Sequence, residues 1–272
     1  MARYLLLGHL TRDLYPGYFL YGGAVLYAGL LARRLGFETR VITASAEKEI
    51  EEVFPELRFY HFNAKETTTF ENIETPLGRR QKVYARSPVI PLGKVPEKLR
   101  KAEIIHVAPV LDEVKPEELS LFDTNFLVAN PQGWFRRLDA QGNVIPIRPD
   151  IDVWPQFKAL VVSEEDVQAD PHVLSTLRAK AEFLVVTKGK RGATLFAPDE
   201  EIFCQAVPAP RVIDTTGAGD IFAAAFFAML YATGKPLIAL KFAQCLASYS
   251  VGRRGLASVP TLEEIAKCLE NP

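Results

Sequence analysis

The chain has 272 residues, with 32 lysines and arginines against 33 aspartates and glutamates. That length can bury a large core, as one big α/β domain or two modest ones, and balanced charge without a basic tract argues against nucleic acid as a partner. The longest strongly apolar run, Ile221 to Ala232, is far below the length needed to cross a bilayer, so no membrane role is expected.

In chain order, Tyr4–Leu7 reads as a first β-strand. Its three leucines are too short for a signal-peptide core and soon meet Arg12 and Asp13, so the chain is read as soluble and cytoplasmic. Gly22-Gly23 precedes a helix over Gly23–Leu35, in which Tyr27, Leu30, Leu31 and Leu35 share a face and Gly36 supplies the stop. A strand follows at Arg40–Thr43. Farther on, strands are expected at Ile104–Val107, Phe126–Ala129, Leu160–Val162 and Phe183–Thr187, several of them apolar without a break. Helices are expected at Pro116–Phe122, Pro171–Ala181, Gly217–Tyr231 and Pro236–Val251. The proline-punctuated stretch 146–155 reads as a surface crossing. This rhythm predicts an α/β fold: a doubly wound, mostly parallel sheet with helices on both faces, as a single domain over residues 1–272.

One region breaks the rhythm. Arg58–Phe62, Thr67–Ile73 and Gln81–Ala85 are strand-like with no helix between them, and Thr75-Pro76-Leu77-Gly78 makes a turn. We read residues 58–89, with part of 12–21, as a small β lid over the mouth of the sheet, where α/β folds bind ligands. Lids of this kind hide an exposed edge against another subunit, so a homodimer through the lid is a possible assembly. Cys204, Cys245 and Cys268 lie far apart and are read as reduced thiols. His9, His61, His106 and His172 show no ligand spacing and are read as structural.

The most informative stretch is Asp214-Thr215-Thr216-Gly217-Ala218-Gly219-Asp220, running into an apolar helix. Glycines at a helix start leave N–H donors uncovered, and the macrodipole points the same way, so the end attracts anions. A carboxylate in that first turn suits transfer of a phosphoryl group to a hydroxyl that must lose its proton. Alone, the same features also describe a buried helix with a tight glycine entry.

The whole string, however, closely resembles the signature of the ribokinase-like (PfkB) sugar kinases. The resemblance covers most of the chain. It implies an ATP-dependent kinase acting on a hydroxyl of a small sugar or polyol, with Asp220 as general base and the backbone of Gly217, Ala218 and Gly219 as an anion hole. A nucleoside or vitamin-precursor kinase on the same fold, and a sugar-sensing protein without catalysis, are the alternatives. The Gly22-Gly23 pair resembles the family's di-glycine element beside the sugar, and Asp13 matches the residue that holds acceptor hydroxyls. Asn130 and Gln132, after a strand in the middle of the sheet, are further acceptor candidates. Val186-Thr187-Lys188-Gly189-Lys190-Arg191-Gly192 resembles the strand–loop segment beside the nucleotide, implying contacts from Thr187, Lys188, Gly189 and Gly192. Ala243, Ala247 and Ser250 correspond to the helix flanking adenine.

Two departures matter. The family's Asn-x-x-Glu reads here as Ser163-Glu164-Glu165-Asp166, which is also a capping-box-like start. Glu165 and Asp166 are the candidates to reach Mg²⁺ through water. Asp214 and Thr216 occupy the position that often serves K⁺, but Arg253-Arg254 stands where its other ligands would come, so strong K⁺ dependence is not expected.

Overall fold

Alternate residues of the first strand face opposite cores, which explains why it reads as an unbroken apolar run. Tyr4 and Leu6 join one buried cluster, Leu5 and Leu7 the other. The computed structural model describes residues 1–75, 78–167 and 171–270. The chain begins with β1 (Arg3–Leu7), β2 (Thr11–Tyr15), β3 (Tyr18–Gly22), α1 (Ala24–Arg34), β4 (Glu38–Ser45) and α2 (Ile50–Val53). Next come β5 (Arg58–Asn63), β6 (Thr68–Thr75), β7 (Gly78–Ala85), β8 (Ile104–Val107), β9 (Leu127–Ala129), β10 (Arg136–Leu138) and β11 (Val144–Pro146). The last part runs β12 (Phe157–Ser163), α3 (Glu164–Val167), α4 (Pro171–Lys180), β13 (Ala181–Thr187), β14 (Ala193–Phe196), β15 (Glu201–Cys204), α5 (Ala218–Thr233), α6 (Pro236–Ser250) and α7 (Leu262–Glu270).

Nine strands form the central sheet in the order β15-β14-β13-β12-β9-β8-β1-β4-β5. Pairing is parallel from β13 through to β5, while β14 and β15 add an antiparallel edge. The chain first steps outward from β1 through β4 to β5, then returns to lay β8 on the other side of β1. Such a reversal opens a crevice at the carboxyl ends of the strands on either side of it. Helices α1, α5 and α6 cover one face. The other is closed by α4 and by single-turn segments that bring in Leu119, Trp134 and Trp154.

A second sheet, β3-β2-β6-β7, stands over this crevice. β2 and β3 form a hairpin, β6 and β7 another, and β2 joins β6 in parallel. Two buried polar groups tether it. His9 Nε2 donates to the Pro88 carbonyl (2.9 Å) while Nδ1 accepts from Thr68 Oγ1 (3.0 Å). Glu47 accepts from Thr67 Oγ1 (2.7 Å) and Tyr21 Oη (2.9 Å) and pairs with Arg12 (2.6 Å). Burial pushes the Glu47 carboxyl up, but these partners together outweigh it and hold it below the usual carboxylate range.

Several expectations change. Arg58–Phe62 belongs to the central sheet, paired in parallel with β4 as its edge strand, and not to the lid. The short helix α2 supplies the crossover that makes parallel pairing possible. The lid takes its other strands from residues 11–22. Pro76 and Leu77 lie outside the described residues. Pro116–Leu121 is a 3₁₀ segment, and the stretch 146–155 is not all surface, since Ile151 and Trp154 are buried. Cys245 and Cys268 form a disulfide, because α7 folds back on α6 and brings their Cα atoms to 5.8 Å. A separation of 23 residues gives no hint of that. Only Cys204 among the described residues is a free thiol. No helix among the described residues is long and apolar enough to cross a membrane.

Candidate active site

A cavity of about 270 Å³ lies between the lid and the carboxyl ends of the strands. α1 and α5 both begin at it, and each begins on a glycine with left-handed backbone and no side-chain cap: Gly23 at φ +91° and Gly217 at φ +78°. Both glycines are required for space as well as conformation. A Cβ on Gly23 would stand 2.6 Å from the His9 carbonyl oxygen, and one on Gly217 would stand 2.5 Å from the Tyr27 ring.

At α5 the Ala218 N–H turns back to the Thr215 carbonyl (3.2 Å), and the helical ladder starts with Ile221 N–H to Gly217 O (2.9 Å). Among the described residues the N–H groups of Gly219 and Asp220 have no partner in the fold. Gly219 borders the cavity, and a Cβ there would meet no atom within 4 Å. Behind this entry the helix is buried from Ile221 to Ala228. This helix start is thus held rigidly, with Ala218 the one member of the predicted hole whose donor is already committed.

Asp220 faces the cavity from the first turn of α5. Its Oδ1 accepts from Asn130 Nδ2 at 2.7 Å. Burial dominates its titration and pushes the carboxyl up to about 7; Asn130 and Arg136 pull the other way, and Asp13 adds to the rise. Asp13, on β2, is 7% exposed and lines the same cavity. Gly22 lies beneath it: a Cβ there would come within 2.5 Å of Asp13 Oδ2. Asn130 and Gln132, which follow β9, complete the predicted acceptor set around one space.

Several further residues at the cavity carry no signal in the sequence. Asn72 and Gln81 of the lid, bonded to each other at 2.8 Å, form part of the roof. Arg136, at the start of β10, lines the cavity and faces both Asp220 and Asp166. Tyr27 presents a buried hydroxyl with no partner among the described residues, and the charges of Asp13, Asp220 and Asp214 act on it. Its place on the apolar stripe of α1 marked it as core. Glu113, fully buried, accepts N–H bonds from His9, Val110 and Leu111 (3.0, 2.8 and 2.8 Å) and so fixes the wall after β8. No local pattern distinguishes it from a loop acid.

The acidic turn after β12 divides into two roles. Asp166 Oδ2 accepts from Ser163 N–H (3.0 Å), and Ser163 Oγ accepts from Glu165 N–H (3.3 Å). Burial raises the Asp166 carboxyl to about 6. Asp166 is therefore occupied as a cap, whereas Glu165 is exposed and lines the cavity. No cluster of three metal-ligating side chains occurs among the described residues.

The predicted nucleotide residues lie outside this cavity. Thr187 ends β13, and Gly189 and Gly192 both take positive φ, the second where a Cβ would strike the Cys204 carbonyl at 2.1 Å. Lys188 Nζ donates to Thr194 Oγ1 (2.8 Å), and Arg191 pairs with Glu164. On α6, Ala243 is completely buried and Ser250 is 1% exposed with its hydroxyl on the Ala247 carbonyl; only Ala247 keeps some surface. Ala243 and Ser250 accordingly support α6 from within and present nothing to a ligand. Arg253 is also not where its charge was expected to act: it makes a bidentate pair with Glu264 of α7 (2.7 and 2.8 Å). Arg254 alone remains exposed near the loop.

The family profile described as pfkB family carbohydrate kinase matches residues 146–262. That stretch of the chain is similar to the pfkB family carbohydrate kinases. A fructokinase-1 of Oryza sativa subsp. japonica is 30% identical over 139 residues, 44% of this chain and 42% of that protein. The chain spans less than half the length of the curated relatives it matches. Solved structures share the fold along the whole chain. A pyrophosphate-dependent kinase of the ribokinase family has a TM-score of 0.78 at 18% identity, covering 97% of this chain and 99% of its own. The ribokinase of Arabidopsis thaliana, solved with ribose and ATP, has a TM-score of 0.74 at 17% identity, covering 100% and 99%.

Proposed function

We propose that the protein is an ATP-dependent kinase that phosphorylates a hydroxyl of a small sugar or polyol. One observation carries this reading: a carboxylate poised near neutrality and an uncapped helix start share a cavity with a second, buried carboxylate. Asp13, aided by Asn72 and Gln81 above, holds the acceptor by its hydroxyls. Asp220 removes the proton from the attacking hydroxyl as its oxygen bonds to the terminal phosphorus and the bond to ADP breaks. A carboxyl near 7 is matched to that task at neutral pH. The N–H groups of Gly219 and Asp220 meet the charge on the transferred oxygens. Mg²⁺ arriving with ATP would be held through Glu165, since it binds through one or two carboxylates plus phosphates, and would neutralise phosphate charge. The lid keeps water from competing with the acceptor.

A panel of sugars, polyols and nucleosides in an ADP-release assay tests the reading. Ligand-induced thermal shifts without turnover would identify a sensor, and turnover confined to nucleosides would move the acceptor class. A second donor deserves a place in the same panel. Ala243 and Ser250, two of the three adenine candidates on α6, are buried, and a structurally similar kinase is pyrophosphate-dependent, so pyrophosphate is the second donor to test. Turnover with pyrophosphate and none with ATP would establish it.

A further inference from the structure

Behind Asp220 runs a line of buried polar groups with no part in the steps above. Tyr4 Oη lies 2.9 Å from His106 Nδ1, His106 Nε2 lies 2.6 Å from Asn130 Oδ1, and Asn130 Nδ2 lies 2.7 Å from Asp220 Oδ1. Tyr4 and His106 are completely buried. They sit on β1 and β8, and Asn130 follows β9, so the line crosses three neighbouring strands to reach α5. Polar groups at such depth are tolerated only when each is paired.

The direction of every bond follows by elimination. An ionised carboxylate only accepts, so Asn130 must turn its amide nitrogen to Asp220. Its oxygen then faces His106, and Nε2 must carry a proton. Burial lowers His106 to about 4, so the ring is neutral and Nδ1 is bare. Burial keeps the Tyr4 hydroxyl protonated, and it donates to Nδ1. All bonds thus point from Tyr4 toward Asp220. Reversing the line would require a protonated Asp220, a flipped amide and the other ring tautomer together.

We infer that Tyr4 and His106 are positioning residues that lock the Asn130 amide in the orientation that donates to the ionised Asp220 carboxylate. This rests on Asp220 as the base. Neither ring reaches the cavity, so their influence passes through Asn130 alone. Around Asp220 the other groups are Asp13 from β2, Arg136 from β10, Tyr27 from α1 and Glu165 from α3. All of them stand on the cavity side. His106 is flanked instead by the rings of Tyr4 and Phe227.

The test compares pH profiles of kcat/KM for Tyr4→Phe, His106→Leu and His106→Gln, beside wild type and Asp220→Asn. Without the lock the Asn130 amide turns its oxygen toward Asp220, and losing that hydrogen bond to the charged carboxylate moves its titration by about one unit. Tyr4→Phe and His106→Leu should therefore shift the acid limb upward by about one pH unit, a roughly tenfold loss of kcat/KM on that limb, with near-normal rates well above it. Glutamine can donate to Asn130 Oδ1 and should restore the limb. Unmoved limbs in folded variants would overturn the inference, because a merely structural pair lowers the melting temperature without shifting the profile. If Asp220→Asn keeps wild-type turnover, the base assignment itself fails; if it is inactive while the limbs stay fixed, only the positioning line fails. Nitrogen-15 NMR of the wild type is independent of any variant: Nε2 protonated and Nδ1 bare supports the line, and the opposite tautomer refutes it.

Discussion

Two helices start at the cavity wall in opposite ways. α3 satisfies its own first turn, with Asp166 accepting from Ser163 N–H and Ser163 Oγ from Glu165 N–H. α5 opens on a glycine with no side-chain cap, and the donors of Gly219 and Asp220 are left to the cavity. A capped start is finished by the fold, whereas an uncapped one on a buried helix is available to a ligand. The contrast explains why an acidic residue has different work in each place. Asp166 is a cap whose negative charge meets a backbone donor; Asp220 has a side-chain donor, Asn130, and an open cavity.

The sharpest test of this contrast is Asp220→Asn. The shape is kept and only proton acceptance is lost, so turnover should fall on the order of a hundred- to ten-thousand-fold. Calorimetry should find ATP binding intact, because the proposed anion site is backbone. Near-wild-type turnover would reduce α5 to a structural helix like α3. The same substitution should raise stability at high pH. The folded carboxyl is raised from the ordinary aspartate value of 3.8 to about 7, so the native state binds the extra proton and loses stability as pH climbs between them. The melting-temperature advantage of the asparagine protein should be full above pH 7 and vanish toward pH 4.

Gly219→Ala should cost about a hundredfold in turnover, the scale of a small misplacement at the reacting centre. Here, unlike Asp220→Asn, ATP binding should weaken as well, since the added methyl enters the space beside the free donors. Unchanged ATP affinity would mean that phosphate does not approach this residue. The wild-type protein should lose kcat/KM about tenfold per unit as pH falls below about 7, where Asp220 takes up its proton and can no longer accept one. A flat profile between pH 5 and 8 would contradict the assigned base.

The smallest effect belongs to the capped helix. Ser163→Ala should lower stability by about 1 kcal/mol, as removal of a cap does, and leave kcat within a few-fold. Glu165→Gln should instead raise the Mg²⁺ concentration needed for half-maximal rate. If Ser163→Ala proves as damaging to turnover as Asp220→Asn, the division between the two helix starts is wrong.

Much of this was legible along the chain. The βα rhythm, the strand over β1 and the entry at Gly217–Asp220 depend on neighbours within a few residues, where periodicity and glycine placement act directly. Asp13, Gly22 and Gly23 were reachable only through the family resemblance, since alone they read as a loop acid and a glycine turn. Beyond that range the sequence is silent. Whether Arg58–Asn63 joins the lid or the central sheet depends on which partner edge is free, and its alternation fits both. The Cys245–Cys268 bond, the pairing of Arg253 with Glu264, the burial of Ala243, and the line from Tyr4 to Asp220 join residues on different elements. The chain by itself marked which residues near α5 are candidates for chemistry; tertiary packing alone decided which of them share a cavity, because burial and long-range hydrogen bonds are properties of neighbours in space.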